Sequence, residues 1–475
     1  MGVNWTKEQQ QVIDLKNRNI LVSAAAGSGK TAVLVERILK KMTRKENPVD
    51  IDRLLIVTFT RATAGEMRER LTAAVEKRLE EDPDNEHLQR QQTLIYNAQI
   101  TTIDGFCSYI IRNYFHTIDL DPGYRIANEG ELKLLRMDVA KELLEARYAE
   151  GSPEFHQFIE VFATGKSDEN IAELILKLYD FAMSNPWPQE WLETCKEPYL
   201  VETEEELLNS RWMEKLWRDV ELSLEQAEFY LEQSLELLQE IDGPYMYEDA
   251  LRSDKMLLEH LQQVCRDRDF NGCCSLLQNH KFAVLSRKKD DAVSDGLRQQ
   301  TKENRDLMKE ILKEVKERYF YGDTEKILQE MKLCRQPVLQ LLQLTEDFAE
   351  CFAEKKKKRN IVDFPDIEHY ALEILVKKEN GELIYTDASE EFSQRFEEIL
   401  IDEYQDSNLV QETLLQSVSR MRHGHNNIFM VGDVKQSIYR FRLARPELFM
   451  EKYDTYTLED SLCQRIDLHR NFRSR

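Results

Sequence analysis

Three separated stretches of this 475-residue chain carry residue types suited to handling a nucleoside triphosphate. The first is Ala24-Ala25-Ala26-Gly27-Ser28-Gly29-Lys30-Thr31, placed after a short apolar run and before a segment with helical spacing. Glycines there let successive backbone N–H groups turn inward on phosphate, a lysine reaches the β and γ oxygens, and a threonine hydroxyl binds Mg²⁺. Ala24 stands where the phosphate-loop pattern has glycine. The second stretch, Leu400-Ile401-Asp402-Glu403-Tyr404-Gln405-Asp406, supplies the complementary half. An aspartate at the end of a buried strand can hold Mg²⁺, and the glutamate after it can take a proton from the attacking water. The third, Gly432-Asp433-Val434-Lys435-Gln436-Ser437, leaves another apolar run. ATP and Mg²⁺ are the ligands these loops predict.

Aromatic and basic residues lie beside the three loops: Thr58-Phe59-Thr60-Arg61, Phe106 within Thr102–Phe106, and Tyr439-Arg440-Phe441-Arg442. An aromatic face stacks any base for roughly 1–3 kcal/mol without reading sequence, while hydroxyl and guanidinium groups hold phosphates. Core packing accounts equally well for each aromatic taken alone. Their clustering next to nucleotide loops points to single-stranded nucleic acid.

The elements that must position these groups can be read from hydropathy. Ile20–Ser23, Leu54–Thr58, Ile399–Ile401 and Ile428–Val431 are short apolar runs ending in polar loops, the pattern of buried parallel strands. Helices are predicted from Gly29 to Lys41, Ala62 to Leu79 and Asn408 to Arg420. Ligands of open α/β sheets collect outside the carboxyl ends of the strands, so the three loops are expected to converge on one site. From 118 to 360 the pattern changes to helical spacing, as in Ile171, Leu174, Ile175, Leu178 and Ala182, or Leu231, Leu235, Leu238 and Ile241. The expected fold class is α/β: a P-loop parallel sheet of residues 1–117 and 361–475, interrupted by an all-helical insertion of residues 118–360. The basic run Lys355–Arg359 closes that insertion and reads as a solvated helix end.

Composition agrees with a soluble, helix-rich protein and excludes several classes. Glycine (16) and proline (11) fall below their usual shares of about 7% and 5%. With 65 Lys+Arg against 88 Asp+Glu the net charge is −23, which argues against a histone-like polycation. The charge is uneven, with 17 basic and 15 acidic residues in positions 1–117, so a nucleic-acid site fits that near-neutral part. Eight cysteines without a Cys-x-x-Cys or Cys/His spacing predict free thiols rather than zinc or disulfides. No apolar stretch reaches the roughly 18 residues that span a bilayer, and a cytoplasmic location with no membrane partner is expected. Met1–Thr6 fits the loose myristoylation pattern, but Trp5 is better used in packing, and His423-Gly424-His425 lacks further ligands for a metal.

Taken in order, Thr6–Ile13, Ser23–Thr31, Thr58–Arg70, Thr102–Cys107, Ile401–Asp406, Val431–Arg445 and Leu468–Ser474 resemble the motor motifs of superfamily 1A, UvrD/Rep-type DNA helicases. Within that superfamily the Val431–Arg445 and Asn471–Arg475 stretches and the long insertion look most like the AddA branch, which belongs to helicase–nucleases that process broken DNA ends. The resemblance implies a RecA-like first motor domain and an ATP-driven 3′→5′ single-strand DNA translocase or helicase serving double-strand-break repair. The partners it implies are single-stranded DNA, double-stranded DNA and an AddB-like subunit. A UvrD/Rep-type repair helicase without nuclease, or a non-motor partner-binding module, are the alternatives.

By position, the resemblance makes Gln9 the adenine-recognising glutamine and Ala24–Thr31 the phosphate loop, with Lys30 on phosphate and Thr31 on Mg²⁺. It makes Asp402 the Mg²⁺ carboxylate, Glu403 the catalytic base, Gln436 a γ-phosphate sensor linked to DNA contacts, and Arg473 an arginine that reaches the γ-phosphate. Thr60, Arg61, Phe106, Tyr439, Phe441 and Arg442 fall at DNA-contacting positions. Arg61 replaces a frequent asparagine, Asp104 a frequent histidine, and Phe441 a frequent tryptophan. Gln9 also completes a Thr6-x-x-Gln9 capping box, and both roles hold only if its side chain is shared. Because the sequence stops at Arg475, just after the Asn471–Ser474 motif, the expectation is an N-terminal piece of a larger enzyme, without its second motor domain or any nuclease domain, that binds nucleotide weakly and hydrolyses it slowly.

Overall fold

The computed structural model describes residues 5–25, 27–44, 46–163, 169–288, 290–437 and 443–470. Six strands form one parallel sheet: β1 (Asn19–Ala24), β2 (Leu54–Thr58), β3 (Gln99–Thr102), β4 (Glu398–Ile401), β5 (Ile428–Gly432) and β6 (Cys463–Leu468). Their order is β6-β1-β5-β4-β2-β3, with Ile20 beside Phe429, Leu55 beside Ile399, and Ile399 beside Ile428. The chain is therefore α/β, and the four expected strands are present. The edge strands β3 and β6 went unread because their sequences, Gln-Ile-Thr-Thr and Cys-Gln-Arg-Ile-Asp-Leu, bury only alternate residues and carry polar groups between them.

Each central strand is apolar throughout because both sheet faces are covered. Leu21, Leu55, Val57, Ile399, Ile401, Ile428 and Met430 enter one core; Ile20, Val22, Leu54, Ile56, Leu400, Phe429 and Val431 enter the other. Helices α1 (Lys7–Asp14), α2 (Lys30–Thr43) and α3 (Arg61–Glu81) supply Val12, Val33, Ile38, Met67 and Leu71 to the second core. Helix α4 (Ile103–Tyr114) supplies Phe106 and Ile110 to the first. Burying such side chains contributes about 1.5–3 kcal/mol each, and this is what fixes where the strand-end loops emerge.

The chain divides into two compact units: residues 1–144, 172–191 and 345–475, and residues 145–171 and 192–344. The first thus takes in 118–144, 172–191 and 345–360, which sequence patterning grouped with the helical insertion. The second is built from helices that include Arg211–Leu237, Glu248–Arg266, Phe270–Asn279 and Asp295–Tyr319, around Trp217, Phe270 and Phe320. A buried ion pair locks two of them, with Arg305 Nε 2.5 Å from Asp254 Oδ2. The helical spacing that reached Ile241 overran its element. Helix Arg211–Leu237 stops at Leu237 and Ile241 is fully exposed, because the chain doubles back at Gly243, where a Cβ would lie 2.3 Å from the Leu237 carbonyl oxygen. No helix among the described residues is long and apolar enough to cross a membrane.

Candidate functional site

The residues between β1 and α2 are bent by two left-handed glycines, Gly27 (φ 76°) and Gly29 (φ 84°), a conformation that costs other residues strain. Gly29 is the N-cap of α2 and offers no side-chain cap, and the first turn of α2 carries no acid. The free N–H groups and the positive end of the helix dipole are thus left to an anion. Ser28 Oγ is buried without a partner, the sort of orphaned polar atom that a bound oxygen would satisfy. The loop is braced from α1. Gln9 Nε2 donates to the Ser28 carbonyl at 3.1 Å, while Gln9 Oε1 accepts from the Thr6 N–H at 3.0 Å and completes the capping box. The side chain is therefore shared, as the two readings of Gln9 required. Beside it lies a cleft of about 140 Å³ lined by Thr6, Gln9, Ser28, Leu468, His469 and Arg470.

Past the end of β4, the Asp402 N–H continues the ladder to the Val57 carbonyl at 2.9 Å, and Glu403 then adopts φ 52°. Left-handed backbone at a glutamate costs of order 1 kcal/mol and persists only where its surroundings hold it. Here the Glu403 N–H donates to Asp402 Oδ1 at 3.1 Å and the Glu403 carbonyl accepts from the Asp406 N–H at 3.0 Å. The Glu403 carboxylate accepts from Lys30 Nζ at 3.3 Å on both oxygens, so the first loop meets the second. Burial, followed by the neighbouring Glu403, pushes the Asp402 carboxyl up to about 6, against the pull of Lys30.

The third loop is tied to the second twice. Gln405 Oε1 accepts from the Asp433 N–H at 3.0 Å, and Ser437 Oγ donates to Asp406 Oδ1 at 3.3 Å. Gln436 Nε2 donates to Asp433 Oδ2 at 2.6 Å. Lys30, Asp402, Glu403 and Gln436 therefore belong to one chain of contacts at the carboxyl edge of the sheet. Thr31 lies one residue into α2, next to Lys30.

The nucleic-acid positions fare unevenly. Thr60 caps α3, its Oγ1 accepting from the Thr63 N–H at 3.1 Å, and both Thr60 and Arg61 are exposed at the end of β2. Phe106 is a correction: it is fully buried, packed edge-on at 5.7 Å from Phe392 and 5.9 Å from Phe396, and offers no face to a base. Helix α4 turns it inward because Thr102 caps the helix through the Gly105 N–H, placing Phe106 on the sheet side with Ile110. Ala26, Tyr439, Phe441, Arg442 and Arg473 lie outside the described residues.

Two features escaped the sequence reading. One is Gln405, whose spacing from Glu403 held no recognised meaning. The other is a buried ionic cluster around Lys356, 3.2 Å from Asp363 Oδ2 and 2.6 Å from Asp366 Oδ1. Lys356 is 3% exposed, so this part of the basic run is buried rather than solvated. Asp363-Phe364-Pro365-Asp366 forms a capping box with proline in the first turn, a signal the sequence displayed.

Comparison with known proteins agrees with this geometry. The UvrD/REP helicase N-terminal domain family matches residues 5–457. The chain is similar to an ATP-dependent helicase/nuclease subunit of Lachnoclostridium phytofermentans, 51% identical over 474 residues that make up 99% of this chain and 34% of that protein. It is similar to proteins of the same name from Clostridium botulinum, 42% identical over 476 residues, and Bacillus pumilus, 41% identical over 477 residues, covering 38% of each. It thus spans little more than a third of the length of these relatives. The motifs, the parallel sheet that positions them and a match over most of its length make this chain a member of the UvrD/REP helicase N-terminal domain family.

Proposed function

We propose that the chain forms the first motor domain of an ATP-dependent 3′→5′ single-strand DNA translocase or helicase, as part of a helicase–nuclease acting on double-strand breaks in the cytoplasm. The observation that carries this reading is the joining of three strand-end loops through Lys30–Glu403 and Gln405–Asp433 at one sheet edge. The left-handed glycines, the uncapped start of α2 and the orphaned Ser28 hydroxyl fit a triphosphate. Lys30 would hold its phosphates, and Thr31 with Asp402 would hold Mg²⁺, which neutralises charge developing on the transferred phosphoryl group. Glu403 accepts a proton from water once Lys30 turns toward phosphate, and Gln436 reports occupancy to the strand-binding segment that follows it. Gln9 and the cleft beside Ser28 receive the base, and Arg473 reaches the γ-phosphate. Thr60 and Arg61 hold DNA phosphates, with Tyr439, Phe441 and Arg442 on bases and backbone. The names of the relatives support a nuclease-bearing enzyme with a second, AddB-like subunit.

The test is nucleotide affinity. A fluorescent ATP analogue with Mg²⁺ is expected to bind this chain, and Lys30→Ala to remove that binding at concentrations that saturate the wild type, while leaving the fold intact. Equal affinity in the two proteins refutes the site.

A further inference from the structure

Gln405 touches two of the three loops with one side chain. Its Nε2 donates to Glu403 Oε2 at 2.8 Å and, more weakly, to Asp406 Oδ2 at 3.3 Å. Its Oε1 accepts from the Asp433 N–H at 3.0 Å, at the start of the turn that carries Gln436. The residue is 1% exposed, so both ends of the amide are engaged away from water. Donor and acceptor sit on one rigid plane, so a displacement of the Glu403 carboxylate is handed to the Asp433 backbone without slack.

Gly432 belongs to the same device. It lacks the left-handed φ of Gly27 and Gly29, so backbone freedom does not explain a glycine there. Space does: a Cβ would lie 2.4 Å from Gln405 Oε1 and 3.0 Å from the Phe449 ring. The missing side chain is the room through which the amide reaches Asp433.

We infer that Gln405 is a positioning residue that couples the state of Glu403 to the Asp433–Ser437 loop, and that Gly432 is kept small to admit it. The inference rests on the reading above, in which Glu403 faces the nucleotide and the third loop faces the strand. Lys30 and Gln405 share the Glu403 carboxylate in this structure. When phosphate draws Lys30 away, Glu403 keeps Gln405 as its partner and turns with it, and the third loop follows.

The experiment measures the affinity of this chain for an oligo(dT) strand with and without Mg²⁺–AMP-PNP. Wild type is expected to show a ratio of about fivefold or more, the lower range of site-to-site coupling. Gln405→Glu separates coupling from mere satisfaction of the Asp433 N–H, because a carboxylate still accepts that bond but cannot donate to Glu403. At about pH 8 its ratio is expected to fall to about one; at about pH 5.5 a protonated Glu regains a donor, and the ratio returns to within about twofold of wild type. Asp402, Glu403, Asp406, Asp433 and Lys30 face or adjoin this amide, so wild type at the same pH is the reference. Gln405→Ala is expected to lose the coupling at both pH values. Gly432→Ala is expected to lower the ratio in wild type and to add nothing in Gln405→Ala. A wild-type ratio in Gln405→Glu at about pH 8, or a loss that acid does not restore, overturns the role of Gln405 alone. A ratio of one in wild type overturns the underlying motor reading together with it.

Discussion

Helix α2 and strand β4 meet in two ion pairs, one at each end of the sheet, and the pairs are built in opposite ways. At the amino end, Arg37 grips Glu398 with Nη2 at 2.5 Å and Nε at 3.1 Å, Lys41 adds a contact at 3.2 Å, and Arg37 lies 4.5 Å over the Phe429 ring. Arg37 Nη1 also donates to the Val12 carbonyl, so the guanidinium is satisfied on every side that faces protein. The Arg37 side chain has no exposure and that of Glu398 4%. At the carboxyl end, Lys30 and Glu403 stand 3.3 Å apart with 14% and 33% exposure, beside an unpartnered Ser28 hydroxyl and a strained Glu403 backbone. One end is closed and complete. The other keeps its charges loosely paired and reachable, which is what a site that must exchange Glu403 for phosphate requires.

Breaking the closed pair should have the largest effect. Glu398→Ala leaves Arg37 and Lys41 buried without a counter-charge, and an uncompensated buried charge costs about 3–5 kcal/mol. The expected readout is a matching loss of unfolding free energy in urea. Burial already holds Lys41 below the ordinary lysine range, so one charge is readily shed as a proton, which places the loss toward the lower figure. A loss below about 1 kcal/mol would mean that the amino end is no more structural than the carboxyl end.

The open pair should respond the other way round. Exposed or half-exposed ion pairs contribute about 0–1 kcal/mol, so Lys30→Ala should move the urea midpoint little. Nucleotide binding loses a charge-assisted hydrogen bond of about 1.5–3 kcal/mol, a fall in affinity of roughly 10–100-fold. Titration with the fluorescent analogue and urea unfolding on the same protein give both numbers. A large stability loss with unchanged affinity would invert the comparison.

What the sequence disclosed follows from the same contrast. Lys30, Asp402, Glu403 and Gln436 were legible because phosphate chemistry demands particular side chains at particular spacings within a few residues of chain. Strands β1, β2, β4 and β5 were legible because burial on both faces leaves an uninterrupted apolar run. Arg37 and Glu398 lie 361 residues apart, and nothing local distinguishes either from a surface charge. Phe106 looked like a stacking residue by its company, and only the packing of Phe392 and Phe396 shows it to be core. Gln405 and Gly432 carry meaning only together, through a 2.4 Å approach that no spacing rule contains. Lys356 sat in a run of five basic residues whose average reads as solvent, while its own partners, Asp363 and Asp366, come from the next helix.

Asp402 gives the smallest expected effect and the finest test, because at the open end one group should pull stability and binding in opposite directions. Its carboxyl is raised to about 6 from an ordinary value of 3.8, chiefly by burial and then by Glu403. A carboxyl whose folded value exceeds its unfolded one favours the folded chain while it is protonated, and that contribution is lost as pH rises through about 6. Ionised Asp402 thus costs the nucleotide-free chain stability at neutral pH, whereas Mg²⁺ needs the carboxylate and binds better as pH rises through the same window. Asp402→Asn should remove both dependences: stability at about pH 7 rises by about 1 kcal/mol over wild type, the difference shrinks toward about pH 4, and Mg²⁺-dependent nucleotide binding is lost. Asp366, at about 6, and Glu368, at about 7, titrate in the same range, so the measurement is the difference between variant and wild type across pH, not the slope of either. A variant less stable than wild type at about pH 7 would mean that Asp402 serves the fold, and that the carboxyl end of the sheet is as closed as the amino end.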